Sequence, residues 1–187
     1  MSQIETSRRR MILREVEGYL DLLQLFGEQW VPVPAQRTAL AERAIGTLNK
    51  LSEEERLSPP AQNLLGQAYR SLERYAEAIP PLRIAADAEP KNIHIWLALG
   101  WCYKRTSRLD LAIESLEEAL EAKPNVAIIH YNLACYWSLA QHKEHALKYL
   151  ANALQIDPDY RDLVAQERDF DPLRNDPDFR ALTAVLV

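Results

Sequence analysis

Apolar and small residues recur through the middle of the chain in a fixed pattern. Leu65-Gly66 followed by Tyr69 returns as Leu99-Gly100 with Tyr103 and again as Leu133-Ala134 with Trp137, each time 34 residues further on. A second set keeps the same step: Ala78, Leu82, Ala85 and Pro90, then Ala112, Leu116, Ala119 and Pro124, then Ala146, Leu150, Ala153 and Pro158. Within a unit of 34, positions 4, 7, 8 and 11 are spaced i, i+3, i+4, i+7, and positions 20, 24 and 27 form a second stripe. Two amphipathic helices per unit, A and B, are therefore predicted. Small residues at 8 and 20 let the pair approach closely, and the apolar residue at 24 fills the seam. Proline at 32 ends the unit, since it cannot continue a helix and turns its predecessor out of the α region.

This pattern resembles the tetratricopeptide repeat family, over units 59–92, 93–126 and 127–160, or 102 of the 187 residues. The resemblance implies an all-α fold, a right-handed α-solenoid of antiparallel helix pairs with helical caps at its ends. Before the first clear unit, Ala44, Leu48 and Leu51 fall at positions 20, 24 and 27 of a preceding repeat, so residues 35–51 read as a helix B. Leu23, Phe26, Gly27 and Trp30 reproduce the helix A stripe five residues too early, with Val31-Pro32-Val33-Pro34 as the extra linker. Residues 1–58 are thus N-terminal helices, with 7–51 either a degenerate first repeat or a capping hairpin. Ser52 with Glu55 resembles a capping box for one further short turn.

After Pro158 the pattern dissolves, and 161–187 reads as a C-terminal cap, with short helices at 159–168 and 177–186. Asp171-Pro172 and Asp176-Pro177 each carry the N-cap then N1-proline signature. The tail Asp169-Phe170-Asp171-Pro172 and onward resembles endings of bacterial tetratricopeptide arrays, and Phe170, Leu173, Phe179 and Leu182 are expected to cover the last repeat. One internal departure is Pro80-Pro81 inside the helix B of 59–92. Either that helix starts late, near Ala76, or it kinks, and a kink toward solvent is expected.

Composition supports the helical reading, with Ala and Leu supplying 52 residues against 23 for Val, Ile and Thr together. The uncharged stretch Asn125 to His142 is broken by Asn132, Ser138 and Gln141, so no transmembrane helix is expected. A net charge of −5, from 22 basic and 27 acidic residues spread along the chain, disfavours nucleic acid. Ser7-Arg8-Arg9-Arg10 is superficially like a twin-arginine signal, yet Arg14, Glu15, Glu17 and Asp21 interrupt the required apolar region, leaving an exposed basic helix start. Cys102 and Cys135 make neither a metal spacing nor a disulfide framework, and a reducing cytoplasm is the expected compartment.

Little in the chain can carry catalysis. His142 and His145 lack a third ligand recognisable in sequence and read as a solvated turn, while a calcium loop opened by Asp169 and Asp171 would need Gly and Glu where this chain has Arg174 and Arg180. The five glycines form no phosphate loop or nucleophile elbow. Cys135, at an expected exposed position of a helix A, has no His or Asp in register to activate it. No metal, cofactor or enzymatic activity is expected.

The resemblance implies instead that the A helices line a concave groove through positions 2, 5, 6, 9, 12 and 13. The residues expected to meet a partner are Asn63, Gln67 and Arg70, then His94, Leu97, Trp101, Lys104 and Arg105, then Tyr131, Asn132 and Cys135, an aromatic centre with a basic edge. Trp101 lies on the side of its helix away from Trp96, Leu99 and Tyr103 and is expected to project outward, near Tyr131. The carboxylate clamp of family members that hold chaperone C-termini maps onto Asn63, Gln67, Ala98, Ile128 and Asn132, which contain no cation and argue against that specificity. The expected function is a non-enzymatic adaptor that takes a peptide segment or partner domain, with an acidic or carboxylate-bearing segment favoured by Lys104 and Arg105. A secretion-type chaperone and a self-assembling homo-oligomer, with a terminus of one copy in the groove of another, are the alternatives.

Overall fold

The computed structural model describes residues 3–25 and 34–184, and those residues form helices joined by turns, without a strand. In chain order they are α1 (Gln3–Leu25), α2 (Pro34–Leu48), α3 (Glu53–Arg56), α4 (Pro59–Ser71), α5 (Tyr75–Ala88), α6 (Ile93–Arg105), α7 (Leu109–Ala122), α8 (Ala127–Leu139), α9 (Lys143–Ile156), α10 (Tyr160–Val164), a 3-10 turn (Arg168–Leu173) and α11 (Pro177–Thr183). They divide into an N-terminal unit, Met1–Glu89, and a C-terminal unit, Pro90–Val187.

Each 34-residue repeat gives a helix A of 13 residues and a helix B of 14, namely α4 with α5, α6 with α7 and α8 with α9. The turn between them is made the same way three times. Glu73, Ser107 and Gln141 all stand at φ near 60°, in the left-handed region. The N–H groups of Arg74, Arg108 and His142 then donate to the carbonyls of Tyr69, Tyr103 and Trp137, five residues back, at 2.9–3.0 Å. This is a Schellman termination, and it uses residues other than glycine at a position where a side chain is strained.

A second recurring bond fixes the start of each helix A. At position 4, Gln62 donates to the Arg56 carbonyl at 2.8 Å, Trp96 to Pro90 at 2.9 Å, and the His130 Nε2 lies 2.7 Å from the Pro124 carbonyl. Each side chain reaches six residues back into the preceding turn. Three different residue types thus anchor one backbone geometry.

The close approach of A and B is visible at the glycines. A Cβ at Gly66 would meet Leu82 Cγ at 2.5 Å, and one at Gly100 would meet the Ala112 carbonyl oxygen at 3.2 Å. Leu82, Leu116 and Leu150, at position 24, are fully buried in the three seams. The Pro80-Pro81 pair does not delay its helix: α5 begins at Tyr75, the unit position at which α7 and α9 also begin, and runs through both prolines to Ala88. The carbonyls that lose their donors are those of Ala76 and Glu77, both exposed residues of the first turn, where the loss is least costly.

In the N-terminal unit the core stripe of α1 is Val16, Tyr19, Leu20 and Leu23, with Ile12 a turn earlier, packed with Ala41, Ala44, Leu48 and Leu51. Leu23, the first residue of the stripe expected from sequence, is part of this core. Phe26, Gly27 and Trp30 lie outside the described residues. The capping box of α3 forms as expected, with Glu55 accepting from the Ser52 N–H at 2.9 Å. Arg8 joins α1 to that turn, donating to Glu55 and to the Lys50 carbonyl, each at 2.9 Å.

The C-terminal segment departs from its predicted form. The helix expected over 159–168 is the short α10, and Asp171-Pro172 caps no helix, because both residues sit inside the 3-10 turn. Glu167 caps that turn instead, accepting from the Asp169 N–H. Asp176-Pro177 does start α11, with the Asp176 carboxylate accepting from the Asp178 and Phe179 N–H groups. Phe170, Leu173 and Phe179 are buried. The 3-10 turn lies on α8 and α11 lies on α9, so the tail covers both helices of the last repeat.

Candidate functional site

The expected partner-binding residues fall in both units. Asn63, Gln67 and Arg70 are on α4 of the N-terminal unit, half-buried, with the Gln67 amide 3.5 Å from the Asn63 side-chain oxygen. The other eight belong to α6 and α8 of the C-terminal unit.

On α6 the outward face is open. His94 and Arg105 are exposed, Leu97 is half-buried, and Trp101 is 40% exposed while Trp96, Leu99 and Tyr103 are buried on the opposite side. The two cations following Trp101 fold back on it, the Lys104 ammonium 5.1 Å and the Arg105 guanidinium 6.0 Å from the ring centre. The negative ring face makes these attractive contacts.

On α8 the corresponding face is closed. Tyr131 and Cys135, expected to be exposed in the groove, are 5% and 2% exposed, and only Asn132 stays half-open. The cause is the tail. The Tyr131 ring lies 4.9 Å from that of Tyr160 and meets Phe170 edge-on at 5.8 Å, and Phe170 is itself fully buried. One residue before Phe170, the Asp169 carboxylate pairs with the Lys104 ammonium across 65 residues of chain, with 17% and 13% of the two side chains exposed. Lys104 also lies 5.7 Å from the Tyr136 ring. An acidic residue followed by an aromatic one is thus received by a lysine and a tyrosine of successive A helices.

Burial dominates the electrostatics here. It pushes the Asp169 carboxyl up, against the opposing pull of Lys104, and pushes the Cys135 thiol well up, with Asp169 and Glu167 adding to the effect. A thiol so held stays protonated at neutral pH and is a poor nucleophile. Burial likewise raises the Tyr131 phenol. Sequence reasoning missed Glu167, Asp169 and Tyr160 as parts of this face. The signal lay in α8 itself, a helix without a single charge in its 13 residues. His142 and His145 stay exposed and pack on Trp137, His145 stacked at 4.6 Å and His142 edge-on at 5.3 Å.

Repeated A–B pairs with an accessible helix A face define a helical-repeat protein of the interaction class. The tetratricopeptide repeat profile matches residues 37–93, 63–127 and 97–161, and the chain belongs to that family. Protein–protein interaction is the role such repeats carry. Among solved structures the fold resembles MamA MSR-1, at TM-score 0.61 and 20% identity over 84% of this chain and 99% of that one. It also resembles MamA 41-end from Desulfovibrio magneticus RS-1, at TM-score 0.59 and 17% identity over 85% and 98%. At these identities the likeness is one of fold. No curated protein matches the chain by sequence. Among the described residues no helix is long and apolar enough to cross a membrane.

Proposed function

We propose that the chain is a non-enzymatic adaptor that binds an acidic, aromatic-containing peptide segment on the open face of α6. His94, Leu97 and Trp101 supply the contact area, and Arg105 supplies the charge, Lys104 being engaged by Asp169. The observation that carries this reading is the seat of Asp169-Phe170 on Lys104 and Tyr131, a ligand of that chemistry held in cis. A buried aromatic beside arginine is also a frequent composition of an interface hot spot. The two cysteines, both buried and neither in a disulfide, support action in a reducing cytoplasm.

A labelled peptide with an Asp-Phe-Asp core, titrated into the full chain and followed by fluorescence anisotropy, tests the reading. Trp101→Ala and Arg105→Glu should each weaken binding at least tenfold with an unchanged melting temperature. Equal binding of a Lys-Phe-Lys peptide removes the acidic specificity. The same cis seat favours a second reading, in which the tail of one copy occupies α8 of another. A molecular mass that does not change across a dilution series, at the monomer value, removes it.

A further inference from the structure

Where the tail meets α8, three potential ligand groups converge that the adaptor reading does not use. The Cys135 sulfur, a Glu167 carboxylate oxygen and an Asp169 carboxylate oxygen all lie within 4.8 Å of one another. We propose that Cys135, Glu167 and Asp169 bind a divalent cation of the zinc class, with a water in the fourth position facing the Tyr131 hydroxyl.

The donor set selects the metal. A thiolate with two carboxylates suits zinc or cobalt and is foreign to calcium and magnesium, which take oxygen donors. Metal–sulfur and metal–oxygen bonds of ~2.3 and ~2.0 Å place tetrahedral donors ~3.3–3.7 Å apart, so closure about an ion needs a contraction of roughly 1 Å. The two carboxylates stand on the short segment entering the 3-10 turn and the thiol on a rigid helix, which allows that movement on the tail side.

The Tyr131 hydroxyl is the independent sign that something belongs there. Tyr131 is 95% buried, one turn before Cys135 on the same face of α8, and its Oη has no hydrogen-bond partner. The Tyr131 ring meets Phe170, the neighbour of Asp169, and stands one helical turn from Cys135, so the orphan O–H belongs to the same contact between α8 and the tail. A metal-bound water would give it an acceptor.

Neither carboxylate is used up by its existing bonds. Lys104 takes the Oδ2 of Asp169 and leaves Oδ1, and the Asp169 N–H takes the Oε1 of Glu167 and leaves Oε2. Lys104 then acts as a positioning residue that orients a ligand carboxylate from outside the coordination shell. It also balances charge: a thiolate, two carboxylates, one ammonium and one divalent ion are together neutral, which suits a half-buried site. Bound metal would fasten the tail to α8 without being needed for the helical core.

Cobalt(II) added to the full-length, metal-free, reduced protein is the probe. The expected result is a thiolate-to-cobalt charge-transfer band in the near ultraviolet, removed by stoichiometric zinc. Cys102→Ser should keep the band and Cys135→Ser should lose it. Glu167→Gln and Asp169→Asn should each weaken cobalt binding tenfold or more while circular dichroism stays helical. Absence of the band at saturating cobalt in the folded wild type overturns the proposal, as does binding without the band, which would assign the ion to exposed histidines such as His142 and His145. If Cys135→Ser fails to fold, Glu167→Gln decides, and unchanged affinity there is equally fatal.

Discussion

Two helices of the same repeat family stand next to one another in the C-terminal unit and use the same face in opposite ways. On α6 that face carries His94, Leu97, Trp101, Lys104 and Arg105, and most of it meets solvent. On α8 the equivalent positions are Ile128, Tyr131, Cys135, Ser138 and Leu139, of which Tyr131, Cys135 and Ser138 are buried, the first two against the tail. Backbone geometry does not separate them, since both have the same length, the same position-4 anchor and the same left-handed turn. What differs is charge. A helix with two cations at its end can present its outer face to water, whereas an uncharged one needs a cover.

The sharpest way to break this contrast is to remove the cover. Phe170→Ala deletes a fully buried aromatic between Tyr131 and Phe179. A loss of ~3–5 kcal/mol is expected, with faster amide exchange in α8 and none of that acceleration in the outward turns of α6. Uniform exchange in both helices would show that the tail is not a specific cover for α8.

Lys104→Met ranks next, because it keeps the packing over Trp101 and Tyr136 but leaves the half-buried Asp169 carboxylate unpaired. Denaturant unfolding should show a loss of ~1–3 kcal/mol. No loss would mean that the ion pair does not hold the tail.

The shared turn offers a control in which the two helices must agree. Ser107→Gly and Gln141→Gly relieve a side chain held at φ 59° and 60°, and each should gain ~0.5–1 kcal/mol once glycine's larger unfolded-state entropy is subtracted. Unequal effects would show that the tail reaches the turn as well as the face.

The smallest effect concerns acid. Lys143 holds Asp176 at 2.6 Å and Asp178 at 2.7 Å, and this hydrogen bonding keeps the Asp176 carboxyl below its ordinary value. A depressed carboxyl contributes stability that is present above its unfolded value, near 4, and is lost as pH falls through the lower folded value. Lys143→Ala should therefore lower the melting temperature slightly at pH 7, and the difference should shrink below about pH 4. A difference that persists at pH 2 would assign the effect to packing of the lysine stem.

Which features were legible follows from how local their causes are. The seams of Gly66 with Leu82 and of Gly100 with Ala112 were readable because helix periodicity and residue size are written within one unit. The Ser52 and Asp176 caps were readable for the same reason. The Val16-Leu20-Leu23 core face of α1 was not, because Leu20 stands where the repeat template has a small residue, and only its packing with α2 reveals it. Asp171-Pro172 has the local form of a helix start but is held in a 3-10 turn by the seating of Phe170 and Leu173 on its neighbours. The closing of Tyr131 and Cys135 depends on a segment about thirty residues away, beyond the reach of any periodicity.

That separation sets an order of events during synthesis. The ribosome finishes α8 about thirty residues before it adds Phe170, and at ~5–20 residues per second the helix waits roughly 2 to 6 s for its cover. In that interval an uncharged, aromatic-rich surface is available to anything nearby, including the same helix on a neighbouring nascent chain. The Lys104–Asp169 pair then works as a guide for the late-arriving tail: its attraction reaches farther than apolar contact, so the carboxylate can find the ammonium before Phe170 finds Tyr131.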